Sequence, residues 1–530
     1  MALGTVHIAM GARTPSARAA QAASEVELKL HVPADRFSEV ERALHDRTRS
    51  HTIHLRAAYF DTPEGHLGAA GLAWRVRREG QQWVQTLKWS PRKGHGFQRE
   101  EHNRPVPGPA GRRAAWPEGD ATAFAGTAAG DRLHKVLGEL TASGSPLPTT
   151  RFRTDVHRME RTQRLRTGGT VTFALDRGTI TTPDGASTDL SELEVELVSG
   201  TPLTVITTAR HWAERHGLWL DTVNKAMRGA LLAQGTPPAP VARGARPALG
   251  GDMSVDAALR AMVEACLAPV LRNTSALANG LGGADHVHLA RVNLRKLRTV
   301  LRELGPLSAA VEPAWADRLG EVFLRLGTTR DRDVIAALIP NLAAIGGPSF
   351  TLPPLECEDA GEVARDPAFT LLLLDLLAYA HGPALAADDG APTLPAAITG
   401  ELRRLRRQAL RDHVHFPTLP EEEQHLVRKR LKRLRYLAEL TATLFPPKQA
   451  ARYINALAPA QDALGSLNDL IVARDTCAAL AAEGVPEAWF AAGWSAAQIP
   501  AAASACVEPL AAAADAPRYW REVGSRRRRR

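Results

Sequence analysis

Apolar and polar residues alternate singly over several short stretches of the first half of the chain: EVELKL at 25–30, LAWRVRR at 72–78, WVQTLKW at 83–89, VTFALD at 171–176 and ELEVELV at 192–198. A period of two predicts half-buried β-strands. The stretch 236–251, TPPAPVARGARPALGG, breaks the pattern with Pro, Gly and Ala and reads as a linker. Beyond it the apolar residues recur at three and four, which predicts helices. The expected organisation is a leader (1–23), a β-rich domain (24–235), the linker (236–251), an all-α domain (252–515) and a basic tail (516–530).

Composition changes this picture little. At 530 residues the chain is too long for one core, and no run approaches the roughly 18 apolar residues of a membrane span. Cys266, Cys357, Cys477 and Cys506 are scattered, which fits a reducing, cytoplasmic setting and neither a disulfide framework nor a zinc site. The net charge of +9 favours an anionic partner without choosing one.

The polar faces of the strands carry the chemistry. Glu25, Glu27 and Lys29 share one face; so do Arg75 and Arg77, Thr86 and Lys88, Arg99 and Glu101, Arg151 and Arg153, and Glu192, Glu194 and Glu196. Asp176 closes its strand, and Lys225 and Arg228 follow a short helix. Like charges on one strand face destabilise it unless an opposite charge stands nearby. An antiparallel barrel with a charged lumen brings all these faces together. Its lysines and arginines would hold phosphate oxygens, and its carboxylates a hard divalent cation, Mg²⁺ or Mn²⁺.

EVELK at 25–29, YFDTP at 59–63, the arginines of WRVR, TLK, the RE pair, ALD and ELEVEL stand in the order found in the CYTH, or triphosphate tunnel metalloenzyme, superfamily, which this half of the chain resembles. The resemblance implies an eight-stranded tunnel with flanking helices that cleaves triphosphates. It makes Glu25, Glu27, Glu194 and Glu196 the metal ligands. Lys29, Arg75, Arg77, Lys88, Arg99, Arg153, Lys225 and Arg228 become the phosphate cradle. Glu101, Asp176 and Lys88 are the residues expected to serve the attacking water and the leaving group. The sequence departs from the pattern at Asn103, where a further acid is expected, and at Asn224, where serine is more usual. The adjacency of Glu100 and Glu101 leaves open which one faces inward. His54 and His66 read as structural or loop residues.

The helical half repeats itself. His288, Arg291, Arg295 and Arg298 are spaced 3, 4 and 3, and His425, Arg428, Lys432 and Arg435 are spaced identically. Each set lies on one helical stripe. Arg302 extends the first stripe, whereas Glu439 ends the second; LGTTRDRDV and LGSLNDLIV, with Asp331 matching Asp469, follow at a similar offset. This is an internal duplication, expected to give two helical bundles whose stripes form one basic groove. The duplicated signature resembles the CHAD domain. That resemblance implies that these nine residues contact long-chain inorganic polyphosphate, with association to polyphosphate granules. Few aromatics flank the stripes, which argues against single-stranded nucleic acid.

The expected function is divalent-cation-dependent hydrolysis of inorganic triphosphate to pyrophosphate and phosphate, on an enzyme that also binds polyphosphate. Two alternatives stand beside it: a non-catalytic polyphosphate binder, and an organic triphosphatase or adenylyl cyclase.

Overall fold

The computed structural model describes residues 25–45, 50–79, 82–89, 98–108, 116–353, 358–386 and 392–520. The leader, the terminal arginines Arg526 to Arg530, and the side chains of Glu25, Arg99 and Asp331 lie outside the description.

The strands are β1 (Glu25–His31), β2 (His51–Asp61), β3 (Leu72–Glu79), β4 (Gln82–Trp89), β5 (Gln98–Val106), β6 (Thr149–Arg164), β7 (Thr170–Thr181), β8 (Ser187–Ser199) and β9 (Trp219–Leu220). Their order is β5-β4-β3-β2-β6-β7-β8-β1-β9, and a further β1–β5 pairing, Glu25 opposite Arg99, closes the sheet. Eight antiparallel strands therefore make the expected barrel. The ninth is a two-residue addition on β1, with Leu30 opposite Leu220.

Five helices accompany the barrel: α1 (Phe37–His45), α2 (His66–Ala69), α3 (Ala128–Ser143), α4 (Pro202–His216) and α5 (Lys225–Ala233). The outward residues of β1, β7 and β8, among them Leu28, Phe173, Leu193 and Val195, are buried against Val205, Ala209 and Trp212 of α4. On the other side Trp74 and Leu87 pack against Leu133, Val136 and Leu140 of α3. Thr127 caps α3 by accepting from Gly130 N at 2.9 Å, and Gly144 ends it at φ 67°, where a side chain would be strained.

The lumen has two zones. At one end the inward residues are apolar: Ala57, Tyr59, Phe152 and Ile180 pack on Ala226, Ala230 and Leu232 of α5. Helix α5 is a plug there. A Cβ on its Gly229 would lie 2.2 Å from the Phe152 ring, so only glycine allows this approach. The other zone carries the charges.

The helical domain runs α6 (Val255–Ala278), α7 (Ala284–Glu303), α8 (Trp315–Arg325), α9 (Thr328–Ala344), α10 (Ala360–Arg365), α11 (Pro367–His381), α12 (Leu394–Leu410), α13 (Glu421–Leu440), α14 (Pro447–Ala456), α15 (Ala458–Ala482), α16 (Ala488–Ala505) and α17 (Val507–Asp515). The duplication is visible in this order. Helices α7 and α13 are each 20 residues long, each is followed by a three-residue 3₁₀ turn, and α8 and α14 come next.

The 236–251 segment is not a free linker. Asn273 holds it in both directions: Ala242 N donates to Asn273 Oδ1 at 3.0 Å, and Asn273 Nδ2 donates to Ala242 O at 2.8 Å. Ala239, Ala242 and Leu249 are buried. Helix α4 packs on α11, Arg210 pairs with Asp375 at 2.6 Å, and one apolar core runs from the barrel into the helical domain. Composition announces a break; packing removes it. Among the described residues no helix is long and apolar enough to cross a membrane.

Candidate functional site

Strand pairing fixes which residues share the lumen, because side chains alternate strictly. Glu27 stands opposite Glu196 and Lys29 opposite Glu194 on β1 and β8. Asp176 on β7 faces Glu192, and Arg158 on β6 faces Asp176. Arg75 stands opposite Tyr59 and Thr86, and Lys88 opposite Glu101. Around the ring, β3 with its two arginines lies four strands from the acidic β8.

The side chains form one ionic network. Lys29 Nζ lies 2.8 Å from Glu194 Oε1 and 3.1 Å from Glu192 Oε1. Lys225, the first residue of the plug helix, reaches Asp176 at 2.7 Å and Glu194 at 3.0 Å, and also contacts Glu192. Arg158 grips Asp176 with two bonds of 2.7 Å and reaches Glu194 Oε2 at 2.5 Å. Lys88 pairs with Glu101, which also accepts from Asn103 at 3.1 Å. Arg75 donates to the Tyr59 hydroxyl at 3.2 Å.

These contacts set the protonation states. Burial opposes the charge on Lys29 and Lys225, but the surrounding carboxylates outweigh it and hold both ammoniums above their ordinary range. Burial likewise opposes Glu194, yet Lys225, Lys29 and Arg158 keep it well below the usual carboxylate range. Asp176 is lowered in the same way by Lys225 and Arg158. Glu192 goes the other way: burial, with Glu194 and Asp176 beside it, raises its pKa despite the two lysines.

Two carboxylate triplets can close on a cation. Oxygens of Glu27, Glu194 and Glu196 lie within 4.8 Å of one another, as do those of Asp176, Glu192 and Glu194. An all-oxygen, anionic donor set suits a hard divalent ion. The first triplet is the better fit, since Asp176 in the second is already taken by Arg158 and Lys225.

Two expectations change, and one lumen residue is added. Arg153 does not face the lumen: Phe152 takes the inward position beside Tyr59, so Arg153 points outward, its guanidinium 5.4 Å from the Trp116 ring. Arg228 is engaged with Asp221 and with Asn279 Oδ1 at 2.7 Å, where α5 meets α6, and is not drawn into the network. Arg158, which the sequence reading passed over, is the lumen cation of β6. The signal was the inward pair Arg158 and Glu160, six and eight residues beyond Phe152. The Glu100/Glu101 question closes in favour of Glu101, because Lys88 pairs with it across the ladder. Asn224 caps α5, accepting from Met227 N at 2.9 Å, as a serine would.

In the helical domain α7 and α13 run antiparallel: Lys296 meets Glu439 at 2.9 Å, and Arg433 meets Glu303 at 3.1 Å. Between them lies a cavity of about 320 Å³ lined by His288, Arg291, Arg295, Lys432 and Arg435. His425 and Arg428 line a second hollow, of about 230 Å³, against α15. Arg298 donates to Ala316 O at 3.1 Å and Arg302 pairs with Asp317 at 2.6 Å, both partners on α8. Phe323 of α8 supports the stripe, with Arg291 4.1 Å and Arg295 5.0 Å from its ring. Lys429 was also missed. Burial and the neighbouring Arg433, Arg428, Arg298 and Arg302 push its ammonium below the ordinary lysine range. Burial and Arg302 likewise lower Arg298.

Comparison with known proteins agrees with both halves. Residues 23–230 match the CYTH domain family and residues 261–478 the CHAD domain family. Among solved structures, the CHAD domain of the plant Ricinus communis is 24% identical, over 53% of this chain and 98% of that one, with a TM-score of 0.43. An adenylate cyclase candidate from Bacillus halodurans is 19% identical over 39% and 96%, with a TM-score of 0.27. A Hippeastrum adenylyl cyclase candidate, described as having a dominant triphosphatase activity, is 20% identical over 40% and 96%, with a TM-score of 0.28.

Proposed function

We propose that this chain, a CYTH domain joined to a CHAD domain, hydrolyses inorganic triphosphate to pyrophosphate and phosphate in the tunnel and holds long-chain polyphosphate on α7 and α13. The observation that carries the first part is the carboxylate triplet of Glu27, Glu194 and Glu196 beside Lys29, Lys225 and Arg158.

Phosphoryl transfer needs positioning and charge neutralisation more than a protein nucleophile. Glu27, Glu194 and Glu196, with Glu25 next on the same strand face, would hold Mg²⁺ or Mn²⁺, which when bound neutralises phosphate oxygens. Lys29, Lys225, Arg158, Arg75 and Arg77 bind the remaining oxygens. Asp176, locked by Arg158 and Lys225, positions those two cations and is a poor base. The water is therefore assigned to Glu101, which takes its proton as oxygen attacks the terminal phosphorus. The anhydride bond breaks, and Lys88 and Lys225 stabilise the departing pyrophosphate. On α7 and α13, the cavity lined by cations would take phosphates of a longer chain by charge-assisted contacts.

The test is phosphate release from tripolyphosphate, ATP and long-chain polyphosphate with each metal. Release from tripolyphosphate that survives both Glu194→Gln and Glu196→Gln would remove the site assignment. Faster release from ATP would move the substrate to an organic triphosphate.

A further inference from the structure

The outer wall of the barrel carries a second donor cluster of a different chemical kind. His54 on β2 and His157 on β6 are direct cross-strand partners. Their rings stack with centroids 4.5 Å apart and planes 5° from parallel. Asp155, two residues before His157 on the same face, lies 2.6 Å from His54 Nε2 through Oδ1. One ligand atom from each of the three lies within 4.8 Å of the others, and all three residues are exposed. Arg56 stands 3.5 Å from the other oxygen of Asp155.

We propose that His54, Asp155 and His157 form a site for a borderline first-row divalent ion, Zn²⁺ being the commonest, distinct from the tunnel. Two imidazoles and one carboxylate suit Zn²⁺, Ni²⁺ or Co²⁺ far better than Mg²⁺, whereas the oxygen-only tunnel prefers the hard ions. The ligand atoms lie within 4.8 Å of one another on two paired strands, so side-chain rotation alone, with no backbone change, would be needed to close on an ion. Asp155 contributes Oδ1 while Arg56 faces Oδ2, an outer contact that orients the carboxylate. Three protein ligands leave the remaining positions to water. Bound there, the ion pins β2 to β6, whose opposite faces carry Tyr59 and Arg158 into the lumen. This proposal does not depend on the reaction proposed above.

The experiment is titration of the full-length chain with Zn²⁺ by calorimetry and with Co²⁺ by visible absorption, near neutral pH, after chelator treatment. The expected result is one site with imidazole-type cobalt bands, weakened at least about tenfold in each of His54→Ala, His157→Ala and Asp155→Asn. Glu194→Gln should leave this site unchanged. Zn²⁺ should raise the melting temperature of the native chain and not that of His157→Ala. Zn²⁺ binding unaffected by the three variants, or abolished by Glu194→Gln, would overturn the proposal. So would the absence of any stoichiometric site, even if the variants fold normally by circular dichroism.

Discussion

The tunnel and the helical groove are both built from lysine and arginine, yet they manage charge in opposite ways. In the tunnel, the side chains of Lys29, Lys225 and Arg158 are only 10–14% exposed and each has carboxylate partners at 2.5–3.1 Å. Their charge is neutralised within the protein, so a ligand must exchange partners with the carboxylates. On the helical domain, partial burial and the crowding of other cations drive Lys429 and Arg298 below their ordinary pKa ranges. That charge is only partly compensated within the protein. A buried ion needs a partner to exist at all, whereas a half-exposed one can wait for its ligand.

The comparison can be broken first at the tunnel. Glu194→Gln should lower phosphate release from tripolyphosphate by roughly 10²–10³-fold, while polyphosphate retention by the same variant in a filter assay stays at the parent level. Loss of both would mean that the halves are not separate sites. The next largest effect concerns stability. Arg158→Met leaves Asp176 with Lys225 and Glu194 with Lys29 and Lys225, and should cost about 1–3 kcal/mol in denaturant melts for the hydrogen bonds lost; Lys429→Met, which removes a repelled cation, should stay within about 1 kcal/mol of the parent. Salt sharpens the contrast: raising it from about 50 to 200 mM should weaken polyphosphate binding at least about tenfold through counterion competition, and affect kcat/KM for triphosphate less.

Acidity discriminates more finely. Partial burial, followed by Lys429 and Arg428, lowers His425. Its folded pKa lies below the unfolded value, so protonation costs stability as pH falls through that range. A bound polyanion favours the same proton, so affinity should rise as pH falls through it. Lys429 gives the matching loss at the alkaline end, with affinity falling as pH rises through its depressed pKa. Measured affinities from acid to alkaline pH would check both signs, and a flat profile would remove these two groups from the proposed polyphosphate contacts. The smallest change is Gly229→Ala, expected to push α5 off Phe152 and reduce kcat several-fold through Lys225 with little effect on polyphosphate binding.

Much of this was legible in the sequence, because a period of two and a doubled 3-4-3 spacing survive in almost any context. The barrel, the acids of β8 and the duplicated basic stripes follow from them. What escaped did so for identifiable reasons. Along β6 the inward face changes from apolar at Phe152 to charged at Arg158. Phase taken from the arginines of RFRTD therefore placed Arg153 on the wrong side. Lys429 aligns with Val292 in the other repeat, so reasoning by duplication passed over it. Arg228 shares a helix face with Lys225 closely enough to look like a tunnel residue, but one of its partners, Asn279, sits at the C-terminal end of α6, 51 residues along the chain. The Pro- and Gly-rich composition of 236–251 says nothing about Asn273, which ties that segment down.

That tied segment, with the core that α4 and α11 share, also makes the molecule a gauge. A loose tether would let the tunnel sample chain ends in proportion to local concentration. A fixed mounting sets one path length from the α7–α13 groove to the mouth of the barrel. On the proposed function, a polyphosphate shorter than that path would occupy one place or the other and a longer one both at once, so the number of phosphates in the polymer would become a quantity the mounting discriminates.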